Sequence, residues 1–257
     1  SFFGIFISGW LVGPLYAWAI LAFAISVIIF SALWAQLIEG SEKLKRPFGY
    51  YGALIGILFA SLVVWLMGVN VWVIIGVVSV VMPWVQAIGR LRCLVNGCCH
   101  GTKTSNNSIG IRYFHFRSRV CGISNLKGEL LHPTQLYAII WLFFVGLILL
   151  KLWFSNFSYP FIFGIYLILT GLGRFVEEAY RGEVQTIVWK GLRLYQWTAI
   201  LTVLIGMVMT SINVEYVLIE TQMSWEIFLS SILGGFITFF AMGVDFPNSN
   251  VRFSRLV

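Results

Sequence analysis

The chain has 257 residues, of which 59% are hydrophobic and only 11% charged, where a soluble domain carries roughly 25% charged residues. That excludes a soluble globular fold. The long unbroken apolar runs exclude a membrane β-barrel, whose strands alternate apolar and polar residues over about ten positions. With 22 Phe and 11 Trp to anchor at lipid–water boundaries and a formal charge of +7, the chain reads as an all-α polytopic membrane protein, with no nucleic-acid partner implied.

In chain order, Ser1–Leu11 reads as the tail of a span whose start is missing. Ser1 is not an initiator residue, and no cleavable signal peptide is readable. Apolar runs of spanning length follow at roughly 14–37, 50–68, 70–88, 135–154, 158–176, 193–213 and 224–244. They predict about seven transmembrane helices in a single integral membrane domain, 1–257. The connection around Met67-Gly68-Val69-Asn70 is very short. The longest polar stretch, 101–133, predicts a small extramembrane cap, too short for a core of its own, with Ile109–Phe114 as a candidate strand.

Alternating seven spans places 38–49, 89–134, 177–192 and 245–257 on one side of the bilayer. Sixteen of the 17 Lys and Arg residues lie on or beside that side; only Lys151 is near the other. Two readings compete. The positive-inside rule makes the charged side cytoplasmic, and Lys43, Lys45 and Lys127 need no further role. An anion-binding mouth for lipid headgroups suits Arg90 and Arg174, which sit at span ends among apolar residues.

Three polar clusters lie on the charged side. Arginine and glutamate at membrane depth cost several kcal/mol unless they face a partner, a cavity or a ligand. The first cluster is Gly89-Arg90-Leu91-Arg92-Cys93-Leu94-Val95-Asn96-Gly97-Cys98-Cys99-His100-Gly101. Arg90, Cys93, Gly97 and Gly101 share a face if the helix continues. Gly97 and Gly101 allow backbone or a headgroup to approach closely, and Asn96 offers both donor and acceptor. All four cysteines, Cys93, Cys98, Cys99 and Cys121, fall within 29 residues. The spacing Cys-x4-Cys-Cys-His matches no familiar zinc arrangement, and adjacent cysteines point to different faces of a helix. Packing or a disulfide is therefore favoured over a metal site, with Cys121 the geometrically freer partner. No cofactor is implied.

The second cluster, His132-Pro133-Thr134-Gln135-Leu136-Tyr137, starts a span, with Pro133 at the first helical position and His132 at the cap. It reads either as a plain helix start or as a polar rim that holds a headgroup. The third, Arg174-Phe175-Val176-Glu177-Glu178-Ala179-Tyr180-Arg181, spaces Arg174, Glu178 and Arg181 at i, i+4 and i+7, on one helix face. An i,i+4 Arg–Glu pair is commonly structural. Arginine's planar fork also suits phosphate oxygens.

Taken together, Gly89-Arg90…Asn96-Gly97…Gly101, His132-Pro133-x-Gln135-Leu136-Tyr137 and Gly171-x-x-Arg174-Phe175-x-x-Glu178-x-x-Arg181 resemble the prolipoprotein diacylglyceryl transferase family, in the family's order, across roughly 48–183. Tyr51-Gly52-Ala53-Leu54-Ile55-Gly56 resembles its His-Gly-Gly-Leu-Ile-Gly segment. The resemblance implies a multi-pass protein of a prokaryotic plasma membrane that moves the diacylglyceryl group of phosphatidylglycerol onto a cysteine thiol of a lipoprotein precursor and releases glycerol phosphate. It implies a cavity open sideways to lipid. It assigns Arg90 and Arg174 to the phosphate, and Asn96, Gly97, Gly101, His132, Gln135, Tyr137, Glu178 and Arg181 to the substrate site. It also implies an active site facing away from the cytoplasm, against the charge count.

The chain departs from the family at five of these positions. Tyr51 stands in place of the family's histidine, Cys93 of its asparagine, Cys98 of its glutamate, Ala138 of a glutamate and Thr170 of a tyrosine. The lipid-phosphate grip is kept while acceptor handling is rebuilt. An unperturbed tyrosine, with a pKa near 10, is a poor thiol base, so His100 is the candidate replacement. Besides a transferase whose acceptor is a lipoprotein cysteine or a different nucleophile, two alternatives remain: a non-catalytic lipid-binding or translocating protein, and a cysteine-based redox or metal protein.

Overall fold

A computed structural model describes residues 1–38, 49–116, 118–122, 124–182, 188–214, 217, 219 and 221–242. Lys43, Lys45 and the tail 245–257, assigned above to the charged side, lie outside them. In lipid every backbone N–H and C=O must be satisfied within its own segment, and each expected span contains one helix. These are α2 (Ala17–Leu33), α3 (Tyr50–Leu66), α4 (Val71–Asn96), α6 (Thr134–Phe154), α7 (Tyr159–Tyr180), α8 (Leu194–Thr210) and α9 (Trp225–Met242). Two further helices are α1 (Phe2–Val12) and the short α5 (Arg119–Gly122).

Among the described residues, four helical stretches are long and apolar enough to cross a bilayer: Pro14–Leu33, Val71–Asn96, Thr134–Phe154 and Tyr159–Tyr180. The other four apolar helices are shorter, so length alone does not give the expected seven spans. The described architecture is that of a polytopic membrane protein. Two helices outrun their hydropathy: α4 continues past residue 88 to Asn96, and α7 past residue 176 to Tyr180. Both extensions carry polar cluster residues, which keep helical hydrogen bonding where the apolar pattern has stopped. A two-strand hairpin, β1 (Val188–Trp189) paired with β2 (Leu192–Arg193), adds a minor β element.

The chain divides into two compact units, Ser1–Val78 with Val217–Val257, and Ser79–Tyr216. In the first, α3 packs along α2 through glycines. An added Cβ at Gly52 would lie 2.3 Å from the Trp34 Cβ, and one at Gly56 2.9 Å from the Val27 Cα. The second unit also packs through small residues, as lipid-embedded helices do. Gly164 and Gly206 let α7 and α8 cross closely, with a Cβ at Gly164 only 2.6 Å from the Gly206 carbonyl oxygen. Gly173 lies under Trp141, whose Nε1 donates to the Leu169 carbonyl at 2.9 Å. Gly146 receives the Trp84 ring, and Gln86 Nε2 donates to the Tyr166 hydroxyl at 3.0 Å. These contacts seat α4, α6 and α7 together.

The cap closes on a small cluster of Tyr113, Val120 and Leu131, with Ile111, Cys121 and Leu126 packed against it. The expected strand Ile109–Phe114 reduces to one bridge, Ile111 to Leu131. Gly97, at φ 65, ends α4 in the left-handed region where glycine is unstrained. The Tyr113 ring packs on it, and the Tyr113 hydroxyl donates to the Leu94 carbonyl at 2.9 Å. The cap is thereby fastened to the end of α4. Because α4 stops at Asn96, Gly97 and Gly101 do not continue the helix face of Arg90 and Cys93, contrary to the sequence expectation.

Candidate active site

Backbone hydrogen bonds join all three polar clusters within the second unit. The Gly101 N–H donates to the His132 carbonyl at 2.9 Å and the His132 N–H to the Thr102 carbonyl at 3.0 Å. The Thr102 N–H donates to the Tyr180 carbonyl at 2.9 Å, and the Gly182 N–H to the His100 carbonyl at 2.9 Å. The segment at 100–102 is thus held between the lead-in to α6 and the exit from α7. An added Cβ at Gly101 would sit 2.5 Å from both the His132 Cβ and the His132 carbonyl oxygen, and one at Gly182 2.4 Å from the Gly101 carbonyl oxygen. Gly101 serves a close backbone approach.

Above this weave lies a lattice of charge. Arg90 Nη2 donates to Glu177 Oε2 at 2.9 Å, and Arg174 Nη1 to Glu177 Oε1 at 3.1 Å. Arg174 Nη2 pairs with Glu178 Oε1 at 2.8 Å. Arg181 Nη1 donates to the same Glu178 oxygen. Arg193 Nη1 lies 3.8 Å from Glu178 Oε2 and Arg193 Nη2 donates to the Arg181 carbonyl at 2.9 Å. Among the described residues, four guanidinium groups meet two carboxylates.

Burial is graded across it. The Glu178 and Arg181 side chains are 1% and 2% exposed, whereas Arg90 and Arg174 keep 20% and 27%. The outer two arginines are partly accessible, while the inner Glu178–Arg181 pair is buried at the end of the helix. Arg174 also lies 5.0 Å over the Tyr195 ring, a cation–π contact. Burial works against the charge on Arg181, but Cys99, Glu178 and Glu177 outweigh it and raise its pKa.

The third element is sulfur. None of the four cysteines is in a disulfide, so the disulfide reading is not realised. The Sγ atoms of Cys93, Cys98 and Cys99 converge within 4.8 Å of one another. Cys99 has φ 59, which turns its side chain back toward its neighbours rather than to an opposite face. Thr134 Oγ1 donates to the Cys99 carbonyl at 2.6 Å and Gln135 Nε2 to the Cys98 carbonyl at 2.7 Å. Hydrogen bonds from Cys93 and Cys98, assisted by Arg181 and Arg90, hold the Cys99 thiol well below the ordinary thiol range. Hydrogen bonds with Cys93 and Cys99, together with burial, push the Cys98 thiol up. Burial pushes Tyr113 up to about 12. Cys121 stands apart in the cap, its Sγ donating to the Tyr113 carbonyl at 3.4 Å.

Other expected residues fall in distinct places. His100 is buried at 1% exposure, with Nδ1 2.9 Å from the Gly101 carbonyl and Nε2 3.0 Å from the Ser124 hydroxyl. A carbonyl only accepts, so Nδ1 is the donor to Gly101 and Nε2 faces the Ser124 hydroxyl. His132 Nδ1 lies 3.1 Å from the Tyr137 hydroxyl, and these rings group with Tyr180. Helix α6 starts at Thr134 with Pro133 as its cap, one residue later than expected, because Pro133 has a non-helical ψ of 67°. Gln135 is fully buried and faces the cysteine loop rather than an open rim. Asn96 is exposed at the end of α4. Tyr51, beside Trp34, belongs to the first unit.

Glu177, Arg193, Thr134 and Tyr180 complete the arrangement without having been singled out by sequence. For Glu177 the signal was its place inside the third cluster, and for Arg193 a lone cation at a span start.

Residues 4–212 match the family described as prolipoprotein diacylglyceryl transferase. A phosphatidylglycerol–prolipoprotein diacylglyceryl transferase of Clostridium tetani is 31% identical over 186 residues, covering 69% of this chain and 70% of its own. A second, of Clostridium perfringens, is 29% identical over 191 residues, covering 70% and 69%. That of Oceanobacillus iheyensis is 26% identical over 201 residues, covering 72% and 69%.

Proposed function

Because the chain belongs to the prolipoprotein diacylglyceryl transferase family, we propose that Arg90 and Arg174 together hold the phosphate of phosphatidylglycerol while its diacylglyceryl group passes to a cysteine thiol of a lipoprotein precursor. The observation that carries this reading is Glu177, whose two oxygens fix the two guanidinium groups, from different helices, at 2.9 and 3.1 Å. Two partly exposed cations are thereby preorganised side by side. As the acceptor sulfur bonds to the glyceryl carbon, the C–O bond to phosphate breaks, its electron pair leaves on glycerol phosphate, and the thiol proton passes to the departing phosphate or to solvent. Preorganised donors in a low-dielectric site stabilise that developing charge at no cost of reorganisation.

Around this pair, Glu178 and Arg181 hold Arg174 from behind. His132 and Tyr137 form a polar rim with Tyr180. Gly97, Gly101 and Gln135 shape the loop that closes the site, and Asn96 stands at its edge. Tyr51 stands in the sequence where the family has a histidine. His100, with both nitrogens engaged, positions the cap. Seven apolar helices span a prokaryotic plasma membrane, and the arginine side faces away from the cytoplasm.

The test is incubation of the purified protein with phosphatidylglycerol labelled in its diacylglyceryl group and a lipoprotein-precursor peptide. Labelled thioether on the peptide cysteine and free glycerol phosphate are expected. Lipid binding with neither product would overturn the reading in favour of a non-catalytic lipid binder.

A further inference from the structure

Cys93, Cys98 and Cys99 bring three sulfur atoms within 4.8 Å of one another. Around a single zinc ion, with Zn–S of about 2.3 Å, thiolate sulfurs stand roughly 4 Å apart, so less than an ångström of movement separates this cluster from a ligand set. The convergence is built by the backbone. Gly97 ends α4 at φ 65, and Cys99 adopts φ 59, a conformation uncommon for a residue with a side chain. Without that second left-handed residue, neighbouring cysteines would diverge. The loop is clamped in this shape by Thr134 and Gln135 through the Cys99 and Cys98 carbonyls.

Charge and polarity fit the same ligand. Three thiolates around a divalent cation leave one negative charge, and Arg90 and Arg181 both act electrostatically on Cys99. The amide of Gln135 that donates to Cys98 also carries a buried Oε1 with no hydrogen-bond donor among the described residues. Buried acceptors of this kind are ordinarily satisfied.

We propose that Cys93, Cys98 and Cys99 form a three-thiolate site for a thiophilic d10 cation of the Zn2+ type, with its fourth position open to a water, a further oxygen donor or an incoming thiol. Soft thiolate ligands select such ions. Three protein ligands with one open position distinguish a reactive zinc site from a closed structural one.

The full-length protein, purified in detergent, reduced and stripped of metal, is incubated with Zn2+ and desalted. Wild type is expected to retain one zinc per chain by elemental analysis, and Cd2+ in its place to give a sulfur-to-cadmium charge-transfer band. Cys121→Ser keeps both signals. Cys93→Ser, Cys98→Ser and Cys99→Ser each lower zinc retention at least tenfold. In the unsubstituted protein, zinc shields the three clustered cysteines from alkylation while Cys121 reacts as in the metal-free state. The site is overturned by wild type that retains no stoichiometric zinc, by retention unchanged in the single variants, by zinc protection that extends equally to Cys121, or by a disulfide within the cluster in place of bound metal. None of these readouts depends on lipid transfer, so a failed transfer assay and a failed metal site are distinguishable.

Discussion

The two ends of the first polar cluster are held by different physics. Arg90 is still within α4, and its position is fixed by side chains: one carboxylate of α7 fastens it beside Arg174. A few residues later the helix has ended, and Cys98 and Cys99 are fixed by backbone, through a left-handed turn and two carbonyls gripped from the start of α6. Electrostatic positioning tolerates small movements of the chain, because long side chains adjust. Positioning by backbone does not. Removing charge should therefore disable chemistry while leaving the fold, and crowding the backbone should damage the fold itself.

The largest effect expected is on the charge side. Arg90→Ala or Arg174→Ala should lower glycerol phosphate release by about 100-fold or more, the usual cost of losing a preorganised donor to a developing anion, with the melting temperature in detergent moving far less. A melting loss as severe as the loss of activity would break the contrast. Next is the backbone side. Gly101→Ala places a Cβ 2.5 Å from His132, and overpacking of this kind costs about 1–3 kcal/mol, to be read as a lowered thermal midpoint.

Gln135→Leu removes the donor to the Cys98 carbonyl and should cost about 1 kcal/mol, again by thermal shift, with faster alkylation of Cys98. The thiols sharpen the comparison through pH. Because its pKa is held below the ordinary thiol range, Cys99 keeps thiolate character as pH falls from the ordinary range and loses it only at the lowered value. In the metal-free protein it should alkylate first at neutral pH and Cys98 last, followed by peptide mass spectrometry. The smallest effect belongs to Cys121→Ser, expected within about 0.5 kcal/mol of wild type. Separately, a cysteine introduced at Lys127 should react with an impermeant reagent on intact cells if the arginine side faces outward.

The sequence carried the charge end well. Arg174, Glu178 and Arg181 at i, i+4 and i+7 share a helix face, and they meet in one lattice. Each unbroken apolar run contains one of the described apolar helices, with ends within a few residues except where polar clusters prolong α4 and α7. The thiol end was not legible. A helical extrapolation sends adjacent cysteines to different faces, and nothing local announces that Cys99 takes a positive φ. Gln135 read as a rim residue because its partner, the Cys98 carbonyl, lies 37 positions away in sequence. Glu177 was overlooked for a similar reason. Its neighbour Glu178 completes the i, i+4 pattern, whereas the role of Glu177 as a bridge comes from Arg90, which reaches it from another helix while Arg174 pairs with it at i, i+3.

Glu177 also bears on how the phosphate is received. A phosphate drawn to Arg90 and Arg174 does not meet bare cations; it meets two that a carboxylate already occupies at 2.9 and 3.1 Å. Each guanidinium carries five N–H donors and gives Glu177 only one nitrogen, so a phosphate can be taken by the remaining donors while the carboxylate keeps both groups in place. The carboxylate also cancels part of the charge of the two arginines, so the pair presents less than two full positive charges to an incoming anion.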